Sequence, residues 1–185
     1  RSRGLLAATE DSHLRWFADL AERGAVGLDG PEEAVWSAAL DRDFANFRAA
    51  HLIALQRQDA FSALRLVSSL REFAIRSVNY EITSWADAST ALADAAGMAD
   101  FPTALAVSAY GRFVRGDMQT AVDLARRALD ASGGSEFSTS ALPERVLGNA
   151  LFYMEQTEEA MHWMDRMQLS ARQAGSPGGI AHALY

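Results

Sequence analysis

Residues Arg115–Asp130 read RGDMQTAVDLARRALD, and the fold turns on this stretch. Ala121, Ala125 and Ala128 recur at the three- and four-residue spacings of one helical stripe. Ahead of them stand Gly116, which takes positive φ readily, and Asp117, which can cap the helix that follows. The pattern returns at an offset of 39 residues. Ile82, Ala121 and Ala160 fall in register, as do Trp85, Leu124 and Trp163, and the small or flexible Ala86, Ala125 and Met164. On the preceding helices the same offset aligns Leu66 with Leu105, Leu70 with Ala109 and Gly148, and Ala74 with Phe113 and Phe152. A lone helical hairpin cannot cover its apolar stripe, so repetition in this period range means hairpins stacked into a solenoid. Arrays of that kind bind and transmit, and rarely catalyse.

Outward from this stretch, helical periodicity runs through the chain, with no sustained alternation of β-branched residues. The fold class expected is all-α, a tetratricopeptide-like right-handed superhelix of stacked hairpins. A first helix is expected over Asp11–Arg23, with Leu14, Phe17, Ala18 and Ala21 on one stripe, broken by a loop from Gly24 to Gly30. Pro31 suits a first helical position, with Glu32 and Glu33 complementing the helix dipole and Trp36 and Leu40 inside. Phe44, Phe47, His51, Ala54 and Leu55 mark the next helix, ending near Arg57. A hairpin follows, with Leu64, Val67, Leu70, Phe73 and Ala74 on its first arm; Tyr80, Trp85, Ala88 and Leu92 lie on its second, which ends at Gly97. Phe101-Pro102 opens another hairpin, Ser132–Ser140 is a loop, Pro143 starts the third hairpin, and Gly175–Gly179 breaks the chain before a last apolar helix. The expected organisation is an N-terminal helical segment over 1–58, packed on degenerate repeats over 59–185 that are truncated at their end. The absence of an initiator methionine and the abrupt last helix suggest a piece of a longer protein.

Composition narrows the function. At 185 residues and 49% hydrophobic, the chain can bury a substantial core. With no cysteine it has no disulfide, thiolate ligand or thiol nucleophile, which fits a reducing, cytoplasmic setting. All 17 basic residues are arginine, so a Schiff-base lysine and a P-loop lysine are excluded within these residues. A net charge of −7 argues against a nucleic-acid contact surface, and Arg126 and Arg127 fall opposite the Ala121/Ala125/Ala128 stripe, on a solvated outer face. No apolar run approaches the roughly 20 residues that a membrane span needs. No signal-peptide layout opens the chain.

RGDMQTAVDLARRALD resembles the second half of a tetratricopeptide repeat, and LGNALFYMEQTEEA places Leu147-Gly148, Leu151 and Ala160 in matching positions. Ile82, Ser89 and Met167 depart from the small residues of that family, and the period exceeds its usual length. A second resemblance covers nearly the whole chain: HLRWFADLAERG from His13, GPEEAVWSAALDRDFANFRAA from Gly30, and SALRLVSSLREFAIRS from Ser62 with Trp85 beyond it. Together they look like the helical region that follows the nucleotide-binding part of actinobacterial signalling ATPases, the LuxR-type and AfsR-type transcription regulators and their cyclase-linked relatives. Its most specific piece runs from Asp43 to Ala50, where Asn46, Phe47, Arg48 and Ala49 match the family's Asp/Glu-x-x-Asn-Leu-Arg-Ala-Ala with phenylalanine for leucine. The resemblance implies a non-enzymatic sensor or protein-interaction segment that receives a partner and restrains output domains. A small-molecule effector module is the alternative.

The four histidines lack metal-ligand spacing, and neither a catalytic dyad nor a cofactor site is legible. His162 with Asp165 and Arg166 reads as a solvated ion-pair group, and His51 as a hydrogen-bonded, partly buried histidine on an apolar stripe. Glu32/Glu33 and Glu158/Glu159 read as helix openers, and Trp85/Trp163 as core. The GSPGG run from Gly175 lacks both the following Lys-Ser/Thr and the preceding strand of a phosphate loop. In tetratricopeptide arrays the first helix of each hairpin lines the concave face. By register this places Arg71, Ile75, Tyr110, Phe113, Asn149, Phe152 and Tyr153 there, a surface for a protein or peptide partner or a small amphipathic ligand. The same aromatics could instead pack between repeats.

Overall fold

The computed structural model describes residues 2–133 and 141–174, and within them every regular element is a helix. In chain order these are α1 (Ser2–Leu28), α2 (Glu33–Arg42), α3 (Phe44–Gln56), α4 (Ala60–Ser69), α5 (Arg71–Arg76) and α6 (Tyr80–Thr90), then a 3₁₀ turn at Ala95–Gly97. After it come α7 (Phe101–Val114), α8 (Met118–Ala131), α9 (Leu142–Tyr153) and α10 (Thr157–Ala174). The Gly175–Gly179 break, the last apolar helix and the stretch 134–140 lie outside the described residues. Two compact units divide between Asp100 and Phe101, so the first hairpin of the expected array shares a unit with α1–α3.

One local device joins the helices in pairs. Residues Gln58, Val78, Gly116 and Glu155 all have positive φ, at 56°, 49°, 84° and 61°. At each, the following amide donates back to the carbonyl five residues earlier: Asp59 to Ala54, Asn79 to Ala74, Asp117 to Arg112 and Gln156 to Leu151, at 2.8–3.0 Å. The positive-φ residue itself donates to the carbonyl three residues earlier, which completes a Schellman motif. The residue that closes each motif also opens the next helix. Asp59 accepts from the Ser62 amide, Asn79 from Glu81 and Ile82, and Asp117 from Thr120. The hairpins α3/α4, α5/α6, α7/α8 and α9/α10 are thus built on one turn.

Three local expectations are corrected. The helix expected over Asp11–Arg23 runs on to Leu28, through Gly24 and Gly27. These glycines serve close packing and do not break the chain: a methyl on Gly24 would lie 2.7 Å from Leu40 Cδ2, and one on Gly27 would overlap the Trp36 indole. Pro31 stands in the turn between α1 and α2, with Glu32 as N-cap and α2 starting at Glu33. The single arm expected over Leu64–Ala74 is two helices that break at Leu70, whose φ and ψ of −87° and 4° leave the helical well while its side chain stays fully buried.

In the first unit Leu14, Ala18, Ala21 and Leu28 of α1 are buried with Phe47, Ala50 and Ala54 of α3 and Leu64 and Val67 of α4. Three arginines also tie down α1 and the turn that follows it. Arg57 reaches Glu10 at 2.7 Å and Asp11, Arg65 reaches Glu22 at 2.5 Å and Asp19 at 2.7 Å, and Arg76 reaches Asp29 at 3.3 Å. Arg76 extends the set to Glu33 of α2 at 2.5 Å, so that carboxylate does more than open a helix.

In the second unit Ala121, Ala125 and Ala128 are fully buried, and α9 crosses α10 closely at Gly148, where an added methyl would lie 3.5 Å from the Ala160 carbonyl oxygen. The register positions Ile82, Ala121 and Ala160 are all completely buried. Trp85 is buried, and Leu124 and Trp163 are half-buried. Among the described residues no helix is long and apolar enough to cross a membrane.

Candidate functional site

The seven candidate residues separate into two places. Arg71 and Ile75 lie on α5 in the first unit; Tyr110 and Phe113 lie on α7, and Asn149, Phe152 and Tyr153 on α9, in the second.

Phe113 and Tyr153 meet with ring centroids 6.0 Å apart, and Phe152 stands edge-on to Tyr153 at 6.2 Å. The last turn of α9 carries both Phe152 and Tyr153, and the Schellman turn at Glu155 ends the helix there. They are 57% and 68% exposed, so the packing role weighed for Phe152 does not hold within the unit. Phe113 is half-buried and supports them from α7. Tyr110 is buried, only 7% exposed, and contributes to the core more than to a surface. Asn149 turns its amide onto its own helix, donating to the Arg145 carbonyl at 2.9 Å. What α7 and α9 present is a ledge of aromatic rings.

Ile75 is buried in the first unit. Arg71 borders a recess of about 360 Å³ between α1 and the α4/α5 junction, with Glu22, Asp29, Ser68, Ser69 and Asp100 around it. Its Nη1 donates to the Ser68 carbonyl at 3.0 Å, while its buried Nε has no hydrogen-bond partner, Glu72 Oε1 lying 3.7 Å away. The Ser68 hydroxyl donates to the Asp100 carbonyl at 3.2 Å. Burial raises the Asp100 carboxyl above its ordinary range, with Ser68 opposing. The Arg65 fork holds Glu22 below its ordinary range. Sequence reasoning found Arg71 but missed its company, because Glu22, Ser68 and Asp100 come from three segments with no common spacing.

The histidine readings sharpen. His51 Nε2 lies 2.9 Å from Ser89 Oγ, and its ring stacks on Trp85 at 4.9 Å, which in turn stacks on Phe44 at 5.4 Å. Burial drives His51 down to about 4, against the Trp85 backbone and Glu81. His162 is exposed and edge-on to Trp163, over which Arg166 lies at 5.3 Å, so the ring organises that group. Glu159 accepts from Arg126 at 2.8 Å and from the Trp163 indole at 3.3 Å, beyond its place in the first turn of α10. Among the described residues, no three carboxylates or histidines are grouped to hold a metal ion.

The segment Asp43–Ala50 has a clear local role. Asn46 donates to Asp43 at 3.2 Å across the α2/α3 joint, and Phe47 and Ala50 are fully buried. Arg48 grips both oxygens of Glu81 on α6 at 2.5 and 2.7 Å while lying over the Phe44 ring. Comparison with protein-family models, with curated proteins and with solved structures finds no match to this chain.

Proposed function

We propose that this chain is a non-enzymatic sensor and protein-interaction segment of a multidomain bacterial signalling regulator, a tetratricopeptide-like array whose partner face is the aromatic ledge on α7 and α9. The observation that carries this reading is the exposure of Phe152 and Tyr153 on the last turn of a helix whose other large residues, Leu147 and Leu151, are buried. Solvent-facing aromatics braced from below are the anchors that dominate binding energy at interfaces. The hairpin turn that recurs at Gly116 and Glu155, 39 residues apart, supports the array. The kinship with LuxR-type and AfsR-type regulators rests on the sequence of Asp43–Ala50, whose Arg48 joins α3 to Glu81 of α6 in this chain.

The test replaces Phe152 and Tyr153 together by alanine and compares recovery of partners, identified by mass spectrometry, with the melting midpoint. Loss of on the order of 2 to 4 kcal/mol of binding is expected, with the midpoint nearly unchanged, because both rings are exposed. Unchanged recovery with a lowered midpoint would rule out the ledge.

A further inference from the structure

The recess at Arg71 holds an unusual balance of charge. Three carboxylates and one guanidinium border it, but Glu22 is engaged by both arms of Arg65, at 2.5 and 2.7 Å, and Asp29 by Arg76 at 3.3 Å. Two charges lack a bidentate partner of their own: the Arg71 guanidinium, whose Nε stands 3.7 Å from Glu72 Oε1, and the Asp100 carboxylate. Arg71 gives Nη1 to the Ser68 carbonyl, Nε has no hydrogen-bond partner, and Nη2 makes no hydrogen bond among the described residues. Ser68 and Ser69 add hydroxyls to a wall that is otherwise the edge of α1, with Ala25 and Val26. Placing a cation and an anion on one small concavity, while neighbouring carboxylates are neutralised by dedicated partners, creates a dipolar site. A guanidinium recognises a carboxylate through its planar donors, and a carboxylate recognises an ammonium.

We propose that this recess binds a free α-amino acid, with the ligand's carboxylate on Arg71, its ammonium on Asp100, and its side chain along Ala25 and Val26. The volume of about 360 Å³ lies at the small end of ligand pockets, which suits a single residue. The site is independent of the ledge on α9, which belongs to the other unit. Burying Asp100 beside Glu22 works against its ionisation. A group whose folded pKa is raised stabilises the fold only at low pH and weakens it at neutral pH, so the chain tolerates a cost here that a bound ammonium would offset.

The experiment uses the full 185-residue chain. The common L-amino acids are screened by thermal shift, and those that raise the midpoint are titrated by calorimetry beside their N-acetyl and carboxamide forms and a tripeptide of the same residue. At least one amino acid is expected to bind with a Kd of about 1 mM or tighter, and each blocked form at least about tenfold more weakly, since each lacks one of two charge-assisted contacts. The tripeptide, its end charges separated, should also bind more weakly. Arg71→Gln should weaken binding by about tenfold or more, and Asp100→Asn should do the same while leaving the midpoint unchanged or higher. Where Arg71→Gln does not fold, Arg71→Lys keeps the cation and loses the planar donors, with the same expectation. Absence of binding below about 10 mM, blocked forms or a tripeptide binding as well as the parent, or both variants keeping full affinity would each overturn the proposal. None of these outcomes bears on Phe152 and Tyr153.

Discussion

Pressed against Trp85 and 2.9 Å from the Ser89 hydroxyl, His51 is a neutral residue in the folded chain, because burial lowers its pKa from 6.5 to about 4. As pH falls below 6.5 the unfolded chain gains a proton that the folded chain refuses, so stability drops until about pH 4, where both states carry it. The whole effect is at most about 3 kcal/mol. Denaturant unfolding from pH 7 to 4 should show this slope, and His51→Phe should flatten it; an unchanged slope would place the proton elsewhere. The position of His51 on an apolar stripe was legible from sequence. Its stacking on Trp85 was not, since Trp85 lies 34 residues away on another hairpin. At the candidate site, Phe152 and Tyr153 were legible through the repeat register. The burial of Tyr110 was not, because its 39-residue equivalents, Arg71 and Asn149, are only half-buried.

At the scale of the element, glycine misled the reading of α1. Gly24 and Gly27 look like loop residues, but each meets a large side chain of α2, and that contact is invisible until α2 folds back. Gly27→Ala measures its importance. Helix propensity alone would favour alanine by about 1 kcal/mol. The Cβ would instead collide with the Trp36 ring, a rigid obstacle, so a net loss of about 1 to 3 kcal/mol is expected, with a shift in tryptophan emission. A stabilised variant would mean that Trp36 moves freely. The α4/α5 break was hidden for a similar reason: Leu70 and its neighbours keep helical spacing across the joint, and only backbone geometry separates the two helices.

For the whole molecule, all-helical structure was written in the periodicity, whereas the division at Asp100 was not, because the repeat register runs across it unchanged. Nor was the electrostatic seat of α1. No spacing in the sequence pairs its carboxylates with distant arginines, yet Arg57 and Arg65 each hold two of them, and Arg76 holds Asp29 just beyond its end together with Glu33. Replacing Arg65 by glutamine should cost about 1 kcal/mol at low salt and less at 1 M NaCl, where surface charges are screened. Equal costs at both salt concentrations would assign the effect to lost packing of the arginine stem.

The recurring turn makes the joints between helices interchangeable parts. Ser77-Val78-Asn79 and Arg115-Gly116-Asp117 trace the same path, but the first forces a β-branched residue into the left-handed region, where it is strained, and the second uses glycine. Grafting Arg115-Gly116-Asp117 in place of Ser77-Val78-Asn79 should therefore preserve the α5/α6 hairpin and raise its stability by up to about 1 kcal/mol, read as a higher denaturation midpoint with unchanged helical content. A chain assembled on such a connector can lengthen, shorten or exchange its hairpins by copying whole units. Mutations can then accumulate on the exposed faces without disturbing how one helix hands over to the next.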